Sequence, residues 1–167
     1  KKNKNLLTVI IPRHIDRVPE ILKEIKKLKL NVVKRSSNII NLKNVDIYLV
    51  DTYGETNKFY KSSNVVFMGG SLIKRGGQNP LEAARVGSTI LHGPNINNFT
   101  DVYKLLNNLK ISHKVSGINS LIKLISKFIT KPNKNRNYLK VEKIGKKILI
   151  QTKNEIDNLL NNEIKKT

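Results

Sequence analysis

Apolar positions along this chain fall into two patterns: short continuous runs, and longer stretches where they return every three or four residues. The first pattern predicts buried parallel strands and the second amphipathic helices. Residues 6–11 form a strand-type run that Pro12-Arg13-His14 stops. Across 15–30, Val18, Ile21, Leu22, Ile25 and Leu28 recur at helical spacing, with lysines on the other face. Residues 31–34 and 45–50 predict two more strands, and Thr56–Ser62 a short helix. Val65–Met68 predicts a fourth strand, running into a loop with two glycine pairs, Gly69-Gly70 and Gly76-Gly77. Beyond it come a helix ending near Gly87, a strand at 88–91, and helices at 97–108 and Ile118–Ile129 with a short strand at 112–115 between them. Residues 131–140, mixing Pro, Asn and basic side chains, predict a linker; 142–150 fits neither pattern, and 153–165 predicts a polar terminal helix.

Strands alternating with helices predict an α/β fold, a Rossmann-like parallel sheet with helices on both faces. The domain is expected to span 1–130, with 131–167 as linker and helical tail packing on or beyond it. In such sheets ligands bind outside the carboxyl ends of the strands. Pro12-Arg13-His14, Asp51-Thr52-Tyr53-Gly54-Glu55, Gly69-Gly70-Ser71 and His92-Gly93-Pro94 each follow directly on a predicted strand, so all belong to that edge.

The chemistry at those positions suits an anion. Arg13 offers a fork of donors and His14 a ring N–H, both able to meet a phosphate. Tyr53-Gly54-Glu55 sets backbone donors beside a carboxylate where glycine permits close approach. In Asn79-Pro80-Leu81-Glu82, Asn79 suits the N-cap, Pro80 the first helical position and Glu82 the third, where it completes a capping box. That helix start would expose backbone N–H groups to an anion. Glu82 could equally bond ribose hydroxyls. Lys74 and Arg75 flank the glycine loop. His92 and His113 are isolated and read as structural, and no His/Asp/Glu spacing makes a metal site. No serine-hydrolase elbow or P-loop signature occurs.

Charge modifies this picture without replacing it. The 167 residues carry 32 Lys and Arg against 12 Asp and Glu, a net +20, distributed as +7 over 1–51, +2 over 52–102 and +11 over 103–167. A basic chain suggests nucleic acid, an anionic membrane surface or an anionic substrate. Nucleic acid is the weaker choice, because aromatics make up only 5% and the glycine-rich centre is the least basic third. There is no cysteine, so disulfides and thiolate metal sites are excluded. No apolar run approaches the roughly 20 residues that span a bilayer. Lys1-Lys2-Asn3-Lys4-Asn5 has no initiator Met and reads as part of something longer.

Taken together, Pro12-Arg13-His14, Asp51 through Glu55, Gly69-Gly70-Ser71, Arg75-Gly76-Gly77-Gln78-Asn79-Pro80-Leu81-Glu82 and Gly93-Pro94 resemble one family in order and spacing. It is the 3-deoxy-D-manno-octulosonic acid (Kdo) transferases of lipopolysaccharide synthesis, in their C-terminal half, and the resemblance covers about 6–130. It implies the C-terminal domain of a GT-B glycosyltransferase. The donor would be CMP-Kdo and the acceptor a lipid A precursor held by an N-terminal domain. Binding would occur at an anionic membrane surface, on the cytoplasmic face of the bacterial inner membrane. Carried over by motif, CMP would be met by Pro12, Arg13, Tyr53, Gly54, Glu55, Asn79, Pro80, Leu81 and Glu82, with His14, Gly70, Ser71 and Arg75 as further donor contacts. No catalytic residue is assigned here, since the family's carboxylate base lies in its N-terminal half. The resemblance thus implies donor binding without turnover by this chain, and no metal or other cofactor. The sequence departs from the family at Tyr53 (usually Met), Gln78 (usually His) and Ala83 (usually Pro). Two other readings stay open on the residues: a GT-B domain using a UDP- or GDP-sugar, and a basic module binding nucleic acid or anionic lipid.

Overall fold

A computed structural model of the chain describes residues 6–39, 41–130 and 137–164. The chain divides into two compact units, Lys1–Phe59 and Tyr60–Thr167. The first carries β1 (Thr8–Ile10), a 3-10 turn at Ile15–Arg17, α1 (Val18–Lys27), β2 (Val32–Lys34), a second 3-10 turn at Arg35–Ser37 and β3 (Ile47–Leu49), and it ends within α2 (Thr56–Ser62). Its strands are all parallel in the order β1-β3-β2, with Ile47 level with Thr8 on one side and Val32 on the other. The central place suits β3, the strand with buried Ile47 and Leu49 followed by buried Val50. Tyr48 alternates to the opposite face, where its ring lies 5.9 Å from that of Phe59 in α2. On α1, Val18 and Ile25 are the buried positions, two turns apart on one stripe.

The second unit carries β4 (Val65–Met68), α3 (Leu81–Arg85), β5 (Thr89–His92), α4 (Thr100–Asn108), β6 (Ser112–Lys114), α5 (Ile118–Ile129) and α6 (Tyr138–Ile164). Its sheet is again parallel, β4-β5-β6. Every residue of β5 is buried, as a central strand covered on both faces requires. Side-chain alternation shows both covers. Ser112 donates from Oγ to the Tyr103 carbonyl of α4, whereas its neighbour His113 stacks 4.9 Å from Phe128 of α5. Ile90, level with Ser112, joins the core with Met68, Ala83, Ala84, Tyr103, Leu106, Ile111 and Val141.

Two expectations change here. The strands pair as two three-stranded sheets where one was expected, because apolar runs mark strands but do not say which strands pair. Residues 137–140, read as linker, already lead into a helix, and 142–150, which fitted neither pattern, lies inside it. Residues 131–136 of the expected linker, residues 1–5 and Lys165 of the terminal helix lie outside the described residues. The anchor is Val141, 4% exposed in the core, with Asn137 Nδ2 donating to the Leu109 carbonyl at 2.8 Å just before the helix. Further along α6, Ile148, Leu149, Ile156 and Leu159 are all exposed. No helix among the described residues is long and apolar enough to cross a membrane.

Candidate functional site

Because β1, β3 and β2 are parallel, their carboxyl ends share one edge, and each leads into a loop carrying chemistry. Arg35, just past β2, forms a two-pronged pair with Glu55 from the loop after β3. Its Nε donates to Oε2 at 3.0 Å and its Nη2 to Oε1 at 3.1 Å. Thr52 Oγ1 donates to the same Oε2 at 2.7 Å, and Lys58 Nζ stands 3.6 Å from Oε1. The Arg35 hydrogen bond, then that of Thr52, holds the Glu55 carboxyl down at about 2. Glu55 is therefore ionised at neutral pH and too weak a base to take a proton from a substrate; it serves as a fixed acceptor for O–H or N–H donors.

Asp51 ties the same two loops together, accepting the Ser36 N–H at 2.8 Å and the Ser36 hydroxyl at 2.6 Å. Desolvation would raise its carboxyl, but the Ser36 bonds and the Lys34 charge outweigh it and leave it below the ordinary value. The sequence candidates lie in the loops after β1 and β3. Tyr53 is 69% exposed, and Gly54 adopts φ 82° with nothing within 4 Å of where a Cβ would be. Arg13 and His14 are exposed after β1, with Pro12 half-buried before them.

In the second unit the loops after β4 and β5 are pinned together through Ser71. Its hydroxyl, fully buried, donates to the Met68 carbonyl and accepts the Gly93 N–H at 2.8 Å. Ser71 thus holds backbone in place rather than offering its hydroxyl to solvent. Gly70 supplies the positive φ, 72°, that turns the chain out of β4. Beside this pin, His92 is buried against Tyr103, ring centroids 4.3 Å apart, and its Nδ1 meets the Gly93 carbonyl at 2.8 Å. A carbonyl only accepts, so Nδ1 carries the proton. Burial lowers the affinity of this ring for a second proton.

The helix start differs from the expectation by one residue. Pro80, buried, is the N-cap and its carbonyl accepts the first helical bond from Ala84, while Asn79 Oδ1 accepts the Leu81 N–H at 3.0 Å. Glu82 stands at the second helical position, exposed, and makes no capping-box bond to Asn79 among the described residues. Proline lacks the N–H that such a shift would otherwise present. With only five residues, α3 carries a small dipole, so the anion-attracting helix end expected from sequence is weak.

No protein-family model matches the chain. The 3-deoxy-D-manno-octulosonic acid transferase of Haemophilus influenzae is 35% identical over 105 residues, 63% of this chain and 25% of that protein. That of Rickettsia bellii is 28% identical over 152 residues, 91% of this chain and 36% of that protein. At such coverage the match takes in the loops after β3 and β4. By sequence, the chain is related to the Kdo transferases. It spans between a quarter and about a third of the length of these two relatives. The crystal structure of the C-terminal CMP-Kdo binding domain of WaaA from Acinetobacter baumannii superposes with a TM-score of 0.77 at 24% identity. The match covers 84% of this chain and 75% of that one, and shows that the fold is shared. The α/β, GT-B-like class expected from the Kdo transferase resemblance is thereby the observed one.

Sequence reasoning missed Arg35. The same strand-end rule that picked out Arg13 also selects Arg35-Ser36-Ser37 after β2, but a short strand with exposed Lys34 gave a weaker stop signal than Pro12.

Proposed function

We propose that this chain binds the cytidine nucleotide of CMP-Kdo, as the donor-binding part of an enzyme that transfers Kdo to a lipid A precursor. The observation that carries this reading is the Arg35–Glu55–Thr52 cluster. It fixes an ionised acceptor at the carboxyl edge of a parallel sheet, next to an open Gly54, in a chain related to Kdo transferases. Glu55 would take hydroxyl or amino donors of the nucleoside, with Tyr53 and the Gly54 backbone beside it. Arg13 would meet the phosphate, with Pro12 shaping its approach and His14 alongside. Breaking the sugar–phosphate bond builds charge on the departing CMP, and a guanidinium in place stabilises it without a metal. Asn79, Pro80, Leu81 and Glu82 are assigned to the donor by motif, as are Gly70 and Arg75. The base that activates the acceptor is not among the residues of this chain, so transfer needs further polypeptide, acting at the cytoplasmic face of the inner membrane. The basic surface fits that anionic setting.

Equilibrium titration of CMP, UMP and GMP into the chain tests this. CMP is expected to bind at least tenfold tighter than UMP, and Glu55→Gln to weaken CMP by about tenfold, the loss of one charged hydrogen bond. Equal affinity for all three, or a Glu55→Gln variant that binds CMP like the parent, would contradict it.

A further inference from the structure

Helix α6 is anchored near its start and free beyond it. Val141 is buried in the core of the second unit, whereas from Lys146 to Asn161 every side chain is exposed. An α-helix turns by about 100° per residue, so the face pointing away from Val141 follows from the spacing. Leu139, Lys143, Lys146, Lys147, Ile150 and Lys153 all fall within about 60° of the direction opposite Val141. This outward stripe runs about 21 Å along the helix. It holds four lysines, two large apolar side chains and no carboxylate. Leu139 and Ile150 are 56% and 59% exposed. At the edge of the stripe Glu142 meets Lys146, Oε1 to Nζ 3.1 Å. Lys143, Lys147 and Lys153 form no ion pair among the described residues.

The stripe has a definite end. Residues 138–153 carry five lysines against one glutamate, whereas 154–164 carry three acids and no lysine. Asp157 closes the outward face on its C-terminal side, and the exposed Ile156 and Leu159 fall on the Val141 side of the helix instead. Two anionic partners could answer the lysines. A nucleic acid backbone would meet the charges but leave Leu139 and Ile150 without a role, and the stripe has no aromatic or arginine on which a base could stack. A bilayer surface answers both kinds of side chain. Lysine ammonium groups reach lipid phosphates while their stems lie along hydrocarbon, and leucine and isoleucine enter the boundary between headgroup and acyl chain. The acidic second half of the helix would be repelled by the same surface, which confines the contact to the first half.

We propose that the outward stripe of α6, from Leu139 to Lys153, docks the chain on an anionic phospholipid bilayer. Ile150 and Leu139 enter the interface, and Lys143, Lys146, Lys147 and Lys153 hold the lipid phosphates. The choice of a bilayer rests on the membrane setting proposed above, but the contact itself needs no nucleotide.

The test is co-sedimentation of the chain with vesicles of equal parts phosphatidylglycerol and phosphatidylcholine, in about 150 mM salt. Binding is expected to these vesicles and to be at least tenfold weaker to phosphatidylcholine alone. Lys143→Gln with Lys147→Gln should weaken it roughly 20–30-fold, about fivefold for each lysine near the surface. Ile150→Gln should weaken it at least fivefold, from the loss of one partly inserted apolar side chain. Lys23→Gln with Lys26→Gln, on the exposed face of α1, serves as a control and should bind like the parent. All these positions are exposed, so an unchanged circular dichroism melting curve separates lost docking from lost folding. No binding, equal binding to the uncharged vesicles, or an α1 pair as damaging as the α6 pair would overturn the proposal. So would Ile150→Gln binding like the parent, or a short DNA duplex displacing the vesicles from the chain. A self-associated chain that the α6 variants render monomeric, with no vesicle binding, would overturn it in favour of a second copy. CMP is read separately at Gly54 and Glu55. Loss of that response with vesicle binding intact refutes only the nucleotide reading, and the reverse refutes only this one.

Discussion

Gly93 makes a demanding test of how the second unit is built. Its φ is not in the left-handed region, so the requirement for glycine there is one of space. A Cβ would stand 2.5 Å from the Ser71 carbonyl carbon and 2.7 Å from the Leu72 nitrogen, closer still to the Ser71 oxygen, and all three are backbone atoms. Restoring ordinary contact means moving two buried loops apart by about 1 Å. That movement stretches the Gly93 N–H bond to Ser71 Oγ and the Asn95 N–H bond to the Ser71 carbonyl, at 2.8 and 2.9 Å. Overpacking costs about 1–3 kcal/mol, and each weakened buried hydrogen bond about 1 kcal/mol. Gly93→Ala should therefore lose roughly 3–5 kcal/mol, a drop in melting temperature of about 6–20 °C for a chain of this size. Gly54→Ala provides the contrast, since its Cβ meets nothing within 4 Å and only the positive φ, worth about 1–2 kcal/mol, opposes it. Thermal and urea unfolding of both variants, followed by circular dichroism, gives the comparison. A Gly93→Ala protein within 1 kcal/mol of the parent, or one more stable than Gly54→Ala, would refute the packing described here.

Three further outcomes follow from the same geometry. Arg35→Met keeps the aliphatic stem and removes the fork, so the Glu55 carboxyl should rise from about 2 toward the ordinary value of about 4.3, read by carbon-detected titration; a carboxyl still near 2 would mean that Thr52 and Lys58 suffice. Acid should destabilise the fold in two stages. His92 and His113 bind a proton less readily folded than unfolded, so their contribution is complete above about 6.5 and is lost as pH falls below it. Glu55, depressed in the fold, then loses its contribution as pH falls from about 4.3 toward 2. Melting temperature against pH should thus be flat from 7 to 9 and fall below that, whereas a maximum near pH 5 would contradict it. Ser71→Ala removes both bonds of the buried hydroxyl and leaves the Met68 carbonyl and Gly93 N–H to find other partners, at a cost of about 2–4 kcal/mol by urea unfolding.

Which parts of this could be read from residues alone has a physical basis. β4 announces itself because the continuous apolar run Val65–Met68 has few alternatives to a buried strand, and its C-terminal loop follows by the geometry of parallel sheets. Gly93 after β5 is legible as part of a strand-end motif, but its contact with Ser71 depends on a residue 22 positions away, which no local pattern encodes. The Arg35–Glu55 fork has the same character, joining loops 20 residues apart. At Pro80 the helix start was legible to within one residue, the range over which caps and hydrogen-bond definitions commonly differ, but the expected capping-box bond of Glu82 is not made among the described residues. The second half of α6 was legible as a polar helix, but its first half was hidden because lysines interrupt its apolar positions through 142–150 and, among the described residues of the helix, only Val141 is deeply buried, so neither period dominates there. The pairing of strands into two sheets depends on tertiary placement and has no sequence signature.

The central claim is that this chain recognises CMP through the loops at the carboxyl ends of its strands. Amide chemical shifts of the isolated chain, titrated with CMP, UMP, UDP and a short DNA duplex at two salt concentrations, test it most directly. Selective, saturable CMP shifts at Gly54 and Glu55 that persist at the higher salt are the predicted result. A uridine preference would give the fold a different donor. Shifts spread over the lysine-rich ends and abolished by salt would contradict the account and leave a basic binding surface in its place.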